Sequence, residues 1–366
     1  MASIPVIWRS ALLLVLSPAL FVVTAAEGQT PGRNALGNPS PAVFEGGNRH
    51  KWQRPEWVID QLGLKPTDIV ADIGAGSGYF SRRLAGRLTK GGKVIAVDID
   101  PEMLAYVRES AAKEGITNIE TLLVETDSPG LDPGSVDLIF LNNTLHHIHN
   151  RAEYYKHMVR ALRPGGRIVN IDFYKRDLPV GPRSLNHKLG KDTVLDEFTR
   201  ANLFVTHDLD GLPHQYFLIA RPLPSIRNAI LLDARTISAG TPSTEQLGEI
   251  ADLGFKTVVN LQTDAEGIDG EEDVVKSLGL TYVHIPIIST DIRDDQIRKF
   301  SETLTNPDNY PMLIHCRSAN RVGGLLLLHQ VLNKDVDVSA ALPEARRAGL
   351  KAQLEKLLIL RLSERR

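Results

Sequence analysis

The chain has one cysteine among 366 residues, so no disulfide can form within it. Neither charge is in excess: 42 Lys and Arg stand against 44 Asp and Glu, a formal net charge of -2. That balance excludes a nucleic-acid partner held by bulk charge. The chain has no internal repeat. It also lacks a ligand set for a metal. His146, His147 and His149 lie within four positions, but adjacent His residues point different ways, and no nearby Cys or carboxylate completes a tetrahedral set. The apolar run near the start, residues 11–23, is broken by Ser17 and Pro18. It falls short of the ~20 residues that cross a bilayer.

What is present is the composition of a globular protein, 42% hydrophobic and 23% charged, in a chain long enough for two domains. Arg9 precedes the apolar run, and the small residues of TAAEGQ follow it. A basic residue, an apolar stretch and small residues predict a secretory signal over residues 1–26, cut after Ala25 or Ala26, and an exported, periplasmic protein. The alternative is an uncleaved N-terminal anchor. Arg9 is the only basic residue of the stretch, which argues against a mitochondrial presequence. Residues 27–48, rich in Gly, Pro, Asn and Ser, read as a loose lead-in.

The chain is organised around residues 71–80, ADIGAGSGYF. An apolar strand runs into a turn in which Gly74, Gly76 and Gly78 alternate, and a helix follows. Glycines let the backbone approach a ligand, and the helix start offers free N–H groups. The spacing is G-x-G-x-G behind Asp72, unlike the dinucleotide G-x-G-x-x-G. About twenty residues on, KVIAVDID ends an apolar run at Asp98, where a carboxylate can take two ribose hydroxyls. Trp52, Trp57, Val58, Ile59 and Leu62 predict one helix ending at Gly63 and covering the mouth of this site. Strands are expected at 69–73, 94–98, 119–124, 136–141 and 167–172, alternating with helices at 81–88, 101–114 and 151–162. Short apolar strands spaced by helices predict a parallel sheet covered on both faces. Residues 175–193 break the pattern, as a substrate cap does. A helix at 195–201 and a strand pair at 204–208 and 215–220 close it.

DIGAGSGYF, VIAVDID, SVDLIFLNNTLHHI and LRPGGRIVNIDF, in that order, resemble the successive motifs of class I S-adenosylmethionine-dependent methyltransferases. The resemblance implies a Rossmann-like domain over residues 49–222 and S-adenosylmethionine as cofactor. It implies Asp72, Gly74, Gly76 and Gly78 around the methionine part and Asp98 on the ribose. It places Thr126 or Asp127 beside adenine. Asn142 and Asn143 end the fourth strand on the cofactor side. The pair His146 and His147 shapes the substrate side, with His147 as a candidate general base.

RPLPSIRN, residues 221–228, marks the linker, which is bounded at 223–229, because its prolines stop the preceding strand. A smaller α/β pattern follows over residues 230–350, then a helical tail, residues 351–366. Ser243 with Gln246 predicts a capping box. Strands are expected at 230–233, 256–261, 282–287 and 312–315, and helices at 271–278, 294–304, 321–332 and 338–347. MLIHCRSANRVGG puts the lone cysteine between a strand and a helix, where N–H groups and Arg321 lower a thiol pKa. With SAGTPSTEQLGEIADLGFKTVVNLQ and GLTYVHIPI, this stretch resembles the beta-lactamase-hydrolase-like family of dual-specificity-phosphatase fold. That resemblance implies Cys316 as nucleophile, Arg321 as phosphate clamp and an upstream Asp as general acid: Asp291, with Asp294 and Asp295 as competitors. The spacing is Cys-x4-Arg, one residue shorter than the common phosphatase loop and nearer the ring that accepts sulfur. Ala319 stands where the family has glycine.

The fold class expected is therefore α/β: a Rossmann-like methyltransferase domain followed by a smaller phosphatase-like domain. The function expected is methyl transfer to a small-molecule acceptor. The alternatives are an exported binding protein with a degenerate cofactor fold, and a phosphatase or sulfurtransferase as the main activity. Because S-adenosylmethionine is made in the cytosol, the export and methyltransferase readings pull against each other.

Overall fold

The computed structural model describes residues 40–46 and 48–364. The signal expected at 1–26 and residues 27–39 of the lead-in lie outside the described residues. The chain enters through a 3-10 turn, Pro41–Phe44, and two short helices, α1 Arg49–Trp52 and α2 Pro55–Gln61. The sequence predicts a single helix here. It breaks because Pro55 disfavours helical backbone at the residue before it, and Arg54 turns left-handed (φ 46°). Val58 and Ile59 of α2 are buried, and Trp57 meets Phe217 edge-on at 5.9 Å. Thus α2 packs on the sheet, while the segment before it reaches the site.

Strands β1 Ile69–Ile73, β2 Lys93–Asp98, β3 Ile119–Leu123, β4 Val136–Asn142, β5 Leu162–Phe173, β6 Leu203–Leu209 and β7 Gln215–Pro222 form a sheet in the order β3-β2-β1-β4-β5-β7-β6. Its first five strands are parallel, and β7 runs antiparallel to β5 and β6. Helices α3 Tyr79–Ala85, α4 Pro101–Lys113, α5 Arg151–Ala161 and α6 Lys191–Arg200 cover the faces. Most of β1 and β4 is buried, as strands covered on both faces must be. Helix α4 starts where Asp100 accepts the Glu102 N–H and Pro101 fills the first turn. Strand β5 begins earlier than the glycines predict. Leu162 pairs with Val136 and Arg167 with Leu138, so residues 163–166 loop out opposite Asp137. Asp137 anchors that irregularity, accepting from Arg163 at 2.9 Å and from the Ile69 N–H at 2.7 Å.

The second sheet holds β8 Ile230–Asp233, β9 Thr236–Ala239, β10 Thr257–Asn260, β11 Thr281–His284 and β12 Met312–His315 in the order β11-β10-β12-β9-β8. Helices α7 Thr244–Asp252, α8 Glu271–Ser277, α9 Asp294–Thr305, α10 Asn320–Asn333, α11 Val338–Arg347 and α12 Ala352–Ser363 pack around it. The capping box of Ser243 and Gln246 is formed. Strand β9 is missed by the sequence reading: four residues containing Thr236 and Ser238 give no apolar run, yet all four are buried. Among the described residues no helix is long and apolar enough to cross a membrane.

Candidate functional site

The order β3-β2-β1-β4 reverses direction at β1, so loops leaving the carboxyl ends of β1 and β4 diverge and open a crevice. A cavity of about 580 Å³ lies there. Of the residues singled out above, Asp72, Gly74, Gly76, Asp98, Thr126, Asn142, Asn143 and His147 line it. Gly78 stands behind it in the left-handed conformation (φ 73°), where an added Cβ would come within 2.9 Å of Val107. At Gly74 (φ 70°) a Cβ would meet Thr144 at 2.4 Å. A smaller bay of about 150 Å³ shares Gly74, Asp98, Thr126 and His147 and is walled by Val97, Val124 and Ile148. Asp127 is exposed and absent from both linings, whereas Thr126 lines both.

Asp98 Oδ2 accepts the Gly76 N–H at 2.8 Å and Oδ1 accepts the Asp100 N–H at 3.0 Å. The carboxylate thus pins the glycine turn to the end of β2. Burial raises its pKa, and these N–H groups oppose the rise. Asp72 is buried at the end of β1 and accepts from the Ser81 hydroxyl at 2.6 Å. Burial pushes its carboxyl up to about 7, and nearby Asp98 adds to the shift. His147 is held below the ordinary imidazole value, chiefly by burial and then by His146 beside it. A neutral imidazole at the cavity wall can accept a proton.

Several site residues escaped the sequence reading. His146 Nδ1 lies 2.8 and 3.0 Å from the oxygens of Asp172, which is fully buried at the end of β5. Asp172 lies within the quoted LRPGGRIVNIDF, but nothing in spacing pairs it with a His 26 residues earlier. Gln53 donates to Asn142 Oδ1 at 2.9 Å, and Gln215 to Asn143 Oδ1 at 2.7 Å. Phe44 and Arg49 line the cavity from the entering segment, where α1 was expected only to cover it.

In the second domain Cys316 follows β12 and is 1% exposed. Its N–H donates to Ala239 O at 3.3 Å. Ala319 is left-handed (φ 66°), the backbone for which glycine is better suited. Arg321 is held from behind. Glu266 accepts from its Nη1 and Nη2 at 2.6 Å each, and the carbonyls of Leu261 and Ile287 accept from Nη1. That pairing drives the Glu266 carboxyl down to about 2. The guanidinium lies within electrostatic reach of the Cys316 side chain. Glu266 was not anticipated, although Thr263 and Glu266 have capping-box spacing and form one. His315, buried, meets Glu271 at 2.9 Å, and among the described residues its Nδ1 has no hydrogen-bond partner. Asp291 sits in an exposed turn, Asp294 pairs with Arg361 and Asp295 with Arg293. Among the described residues no group of three His, Cys, Asp or Glu could hold a metal ion.

Comparison with known proteins agrees with these two halves. Residues 71–170 match the family model of a methyltransferase domain. Residues 236–333 match the phosphatase-like domain of beta-lactamase hydrolase-like proteins. The ubiquinone/menaquinone biosynthesis C-methyltransferase UbiE of Hydrogenovibrio crunogenus is 26% identical over 139 residues, 38% of this chain and 54% of that protein. The arsenite methyltransferase of Halobacterium salinarum is 28% identical over 139 residues, 37% of this chain and 36% of that one. The chain thus spans about half the length, or less, of these curated relatives. A solved S-adenosylmethionine-dependent methyltransferase from Aquifex aeolicus covers 49% of this chain with 95% of its own, at 26% identity and a TM-score of 0.47. The chain carries a class I methyltransferase domain followed by a phosphatase-like domain.

Proposed function

We propose that the chain transfers a methyl group from S-adenosylmethionine to a small-molecule acceptor in the cavity at the ends of β1, β2 and β4. The observation that carries this reading is Asp98, whose carboxylate holds the Gly76 N–H at the cavity wall. The residues fit the cofactor's parts. Gly76 has open space where a Cβ would stand, Asp98 can accept from ribose hydroxyls, and the bay beside Thr126 is mainly apolar, as a base requires. The cofactor supplies an electrophilic methyl. The protein supplies position, and His147 supplies a neutral imidazole to take a proton from the acceptor. Calorimetry on the purified chain tests this. Asp98→Ala should weaken binding of S-adenosylhomocysteine by roughly 1.5–3 kcal/mol, the value of hydrogen bonds to a charged group. No heat and no thermal shift at millimolar ligand would remove the reading.

The second domain carries its own chemistry in this proposal, with the Cys316 thiolate as nucleophile. Glu266 and two backbone carbonyls hold Arg321 within electrostatic reach of Cys316, which supports an oxyanion site. The Cys-x4-Arg ring keeps two outcomes open, hydrolysis of an aryl phosphate and acceptance of sulfur from thiosulfate. Iodoacetamide alkylation measured against pH, with both assays and with Arg321→Ala as control, separates a reactive thiol from a structural one. Export belongs to the same proposal and rests on residues 1–26 alone. A reporter active only outside the cytoplasm, fused to residues 1–30, tests it, and a cytosolic chain with intact Met1 would sink it.

A further inference from the structure

Two carboxamides stand where β4 runs into the cavity, Asn142 and Asn143. Each is held from behind by a fully buried glutamine that does not line the cavity. Gln53 Nε2 donates to Asn142 Oδ1 at 2.9 Å, and Gln215 Nε2 donates to Asn143 Oδ1 at 2.7 Å. A carboxamide has a donor end and an acceptor end, and the partner decides which end faces where. At Asn142 the partner is itself fixed. Arg49 Nε donates to Gln53 Oε1 at 2.6 Å, and a guanidinium can only donate. The Gln53 oxygen therefore faces Arg49, its NH2 faces Asn142, and the Asn142 oxygen is turned out of the cavity. Asn143, left-handed at φ 57°, repeats the arrangement against Gln215. Among the described residues neither Asn142 Nδ2 nor Asn143 Nδ2 has a hydrogen-bond partner, yet neither is shut away from solvent. Both stay open on the cavity side.

We propose that Gln53 and Gln215 are positioning residues that set which acceptor is methylated. They turn the Asn142 and Asn143 NH2 groups into the cavity, where these bind an acceptor presenting an anionic oxygen and disfavour one presenting an amine. The inference rests on the methyltransferase reading and adds the chemistry of the acceptor. An amine keeps its one lone pair for the methyl carbon and needs acceptors for its N–H groups. Donors would occupy the pair that has to attack. An oxygen anion has lone pairs to spare, and fixed N–H donors around it stabilise its charge. Arg49 lines the same cavity and adds positive charge. When the acceptor ionises, its O–H bond breaks and the electron pair stays on the oxygen beside the amide donors. The proton passes to the His147 imidazole, which lines the cavity too. A site built to hydrogen-bond one group rejects the analogue that leaves its buried polar groups unpaired.

Calorimetric titration of the full chain, saturated with S-adenosylhomocysteine, tests this with two matched probes. The anion of 4-nitrophenol presents an oxygen, and 4-nitroaniline presents an amine on a ring of nearly the same size. The wild type should bind the nitrophenolate at least roughly tenfold more tightly, as one hydrogen bond to a charged group implies. Gln53→Glu keeps an oxygen for Arg49 but can no longer donate to Asn142. The Asn142 NH2 then turns to the new carboxylate, and its oxygen turns into the cavity. The variant should lose roughly tenfold toward nitrophenolate and gain severalfold toward nitroaniline. Added negative charge alone would weaken the anion without strengthening the neutral amine, and that result overturns the inference. So does a wild type that binds S-adenosylhomocysteine but takes both probes alike, or neither. Retained S-adenosylhomocysteine affinity shows that the variant is folded. Its loss in Gln53→Glu would mean that the amide serves the cofactor or the fold, and overturns the inference as well. A wild-type chain that does not bind S-adenosylhomocysteine overturns the methyltransferase reading itself, and the acceptor assignment with it.

Discussion

Asp72 is placed where burial works against its charge. Its carboxyl rises from 3.8 to about 7 because it is out of water, with Asp98 adding to the shift and Ser81 and Arg49 opposing it. Between those values the native state binds a proton that the unfolded chain has released. Stability from this group is therefore fully present below about pH 4 and is lost as pH rises through about 7. Asp72→Asn removes the penalty and can still accept from Ser81. We predict that the variant's melting temperature matches the wild type near pH 4 and exceeds it near pH 8. The difference corresponds to at most about 4 kcal/mol, three pKa units at 1.36 each. Other titrating groups cancel in the comparison, so a difference that does not vary with pH would refute the assignment. Residues such as Asp72 and Asp98 were legible in the sequence because the glycine turn and the strand ends fix them locally. Arg49, Asp172 and Glu266 were not: Arg49 lines the cavity from a segment outside the motifs, and Asp172 and Glu266 act through contacts 26 and 55 positions away, with His146 and Arg321.

Among the elements, the joint from β12 into α10 shows how a departure from glycine is accommodated. Ala319 adopts φ 66°, and the turn after α11 closes over it at Gly349 (φ 111°). A Cβ on Gly349 would stand 2.6 Å from the Ala319 Cβ and 2.9 Å from its carbonyl oxygen. Gly349→Ala therefore meets both a disallowed backbone and a clash, and should cost more than about 3 kcal/mol. Ala319→Gly should gain up to about 1 kcal/mol, because relief of the left-handed backbone exceeds the added chain entropy. In the double variant only the Cβ contact is relieved and the carbonyl clash persists. Denaturant midpoints should thus show partial rescue, and full rescue would mean that backbone strain at Gly349 is negligible. Elements with sustained apolar periodicity, such as β1, β4 and α4, were readable within a residue or two. Those that failed lacked a local signal or had a competing one. Strand β9 is four residues buried by its neighbours rather than by its own hydrophobicity. Residues 163–166 look like a helix stop yet sit within β5, where Asp137 holds them. Pro55 cut the first helix in two, against its apolar spacing.

At the scale of the whole molecule, α6 and β6 meet the second domain. Asn202 ends α6 in the left-handed conformation (φ 56°), and its Oδ1 accepts the Leu231 N–H of β8 at 2.9 Å. Phe204, on the edge strand β6, packs against Phe255 at 4.8 Å between ring centroids. It is buried in a cluster otherwise drawn largely from the second domain, including Leu231, Ile237 and Leu247. The sequence shows both domains and the prolines between them, but Phe204 reads there only as a strand residue. An interface built around one buried ring should couple two domains while it is intact and release them when it is cut. Phe→Ala in such a site costs about 3–5 kcal/mol. Binding to the native state raises the unfolding temperature of whatever unfolds with the site. We therefore expect the wild-type chain to unfold in one calorimetric transition that S-adenosylhomocysteine moves as a unit. Phe204→Ala should split it, leaving a ligand-sensitive transition for the first domain and a ligand-insensitive one for the second. Asn202→Gly keeps the left-handed turn and deletes the side-chain hydrogen bonds to the Leu231 N–H and the Ala229 carbonyl, so it should weaken the coupling by about 1–2 kcal/mol without splitting it. Two separate transitions in the wild type, only one of them moved by ligand, would show that Phe204 is merely filling space and that the domains are independent bodies on one chain.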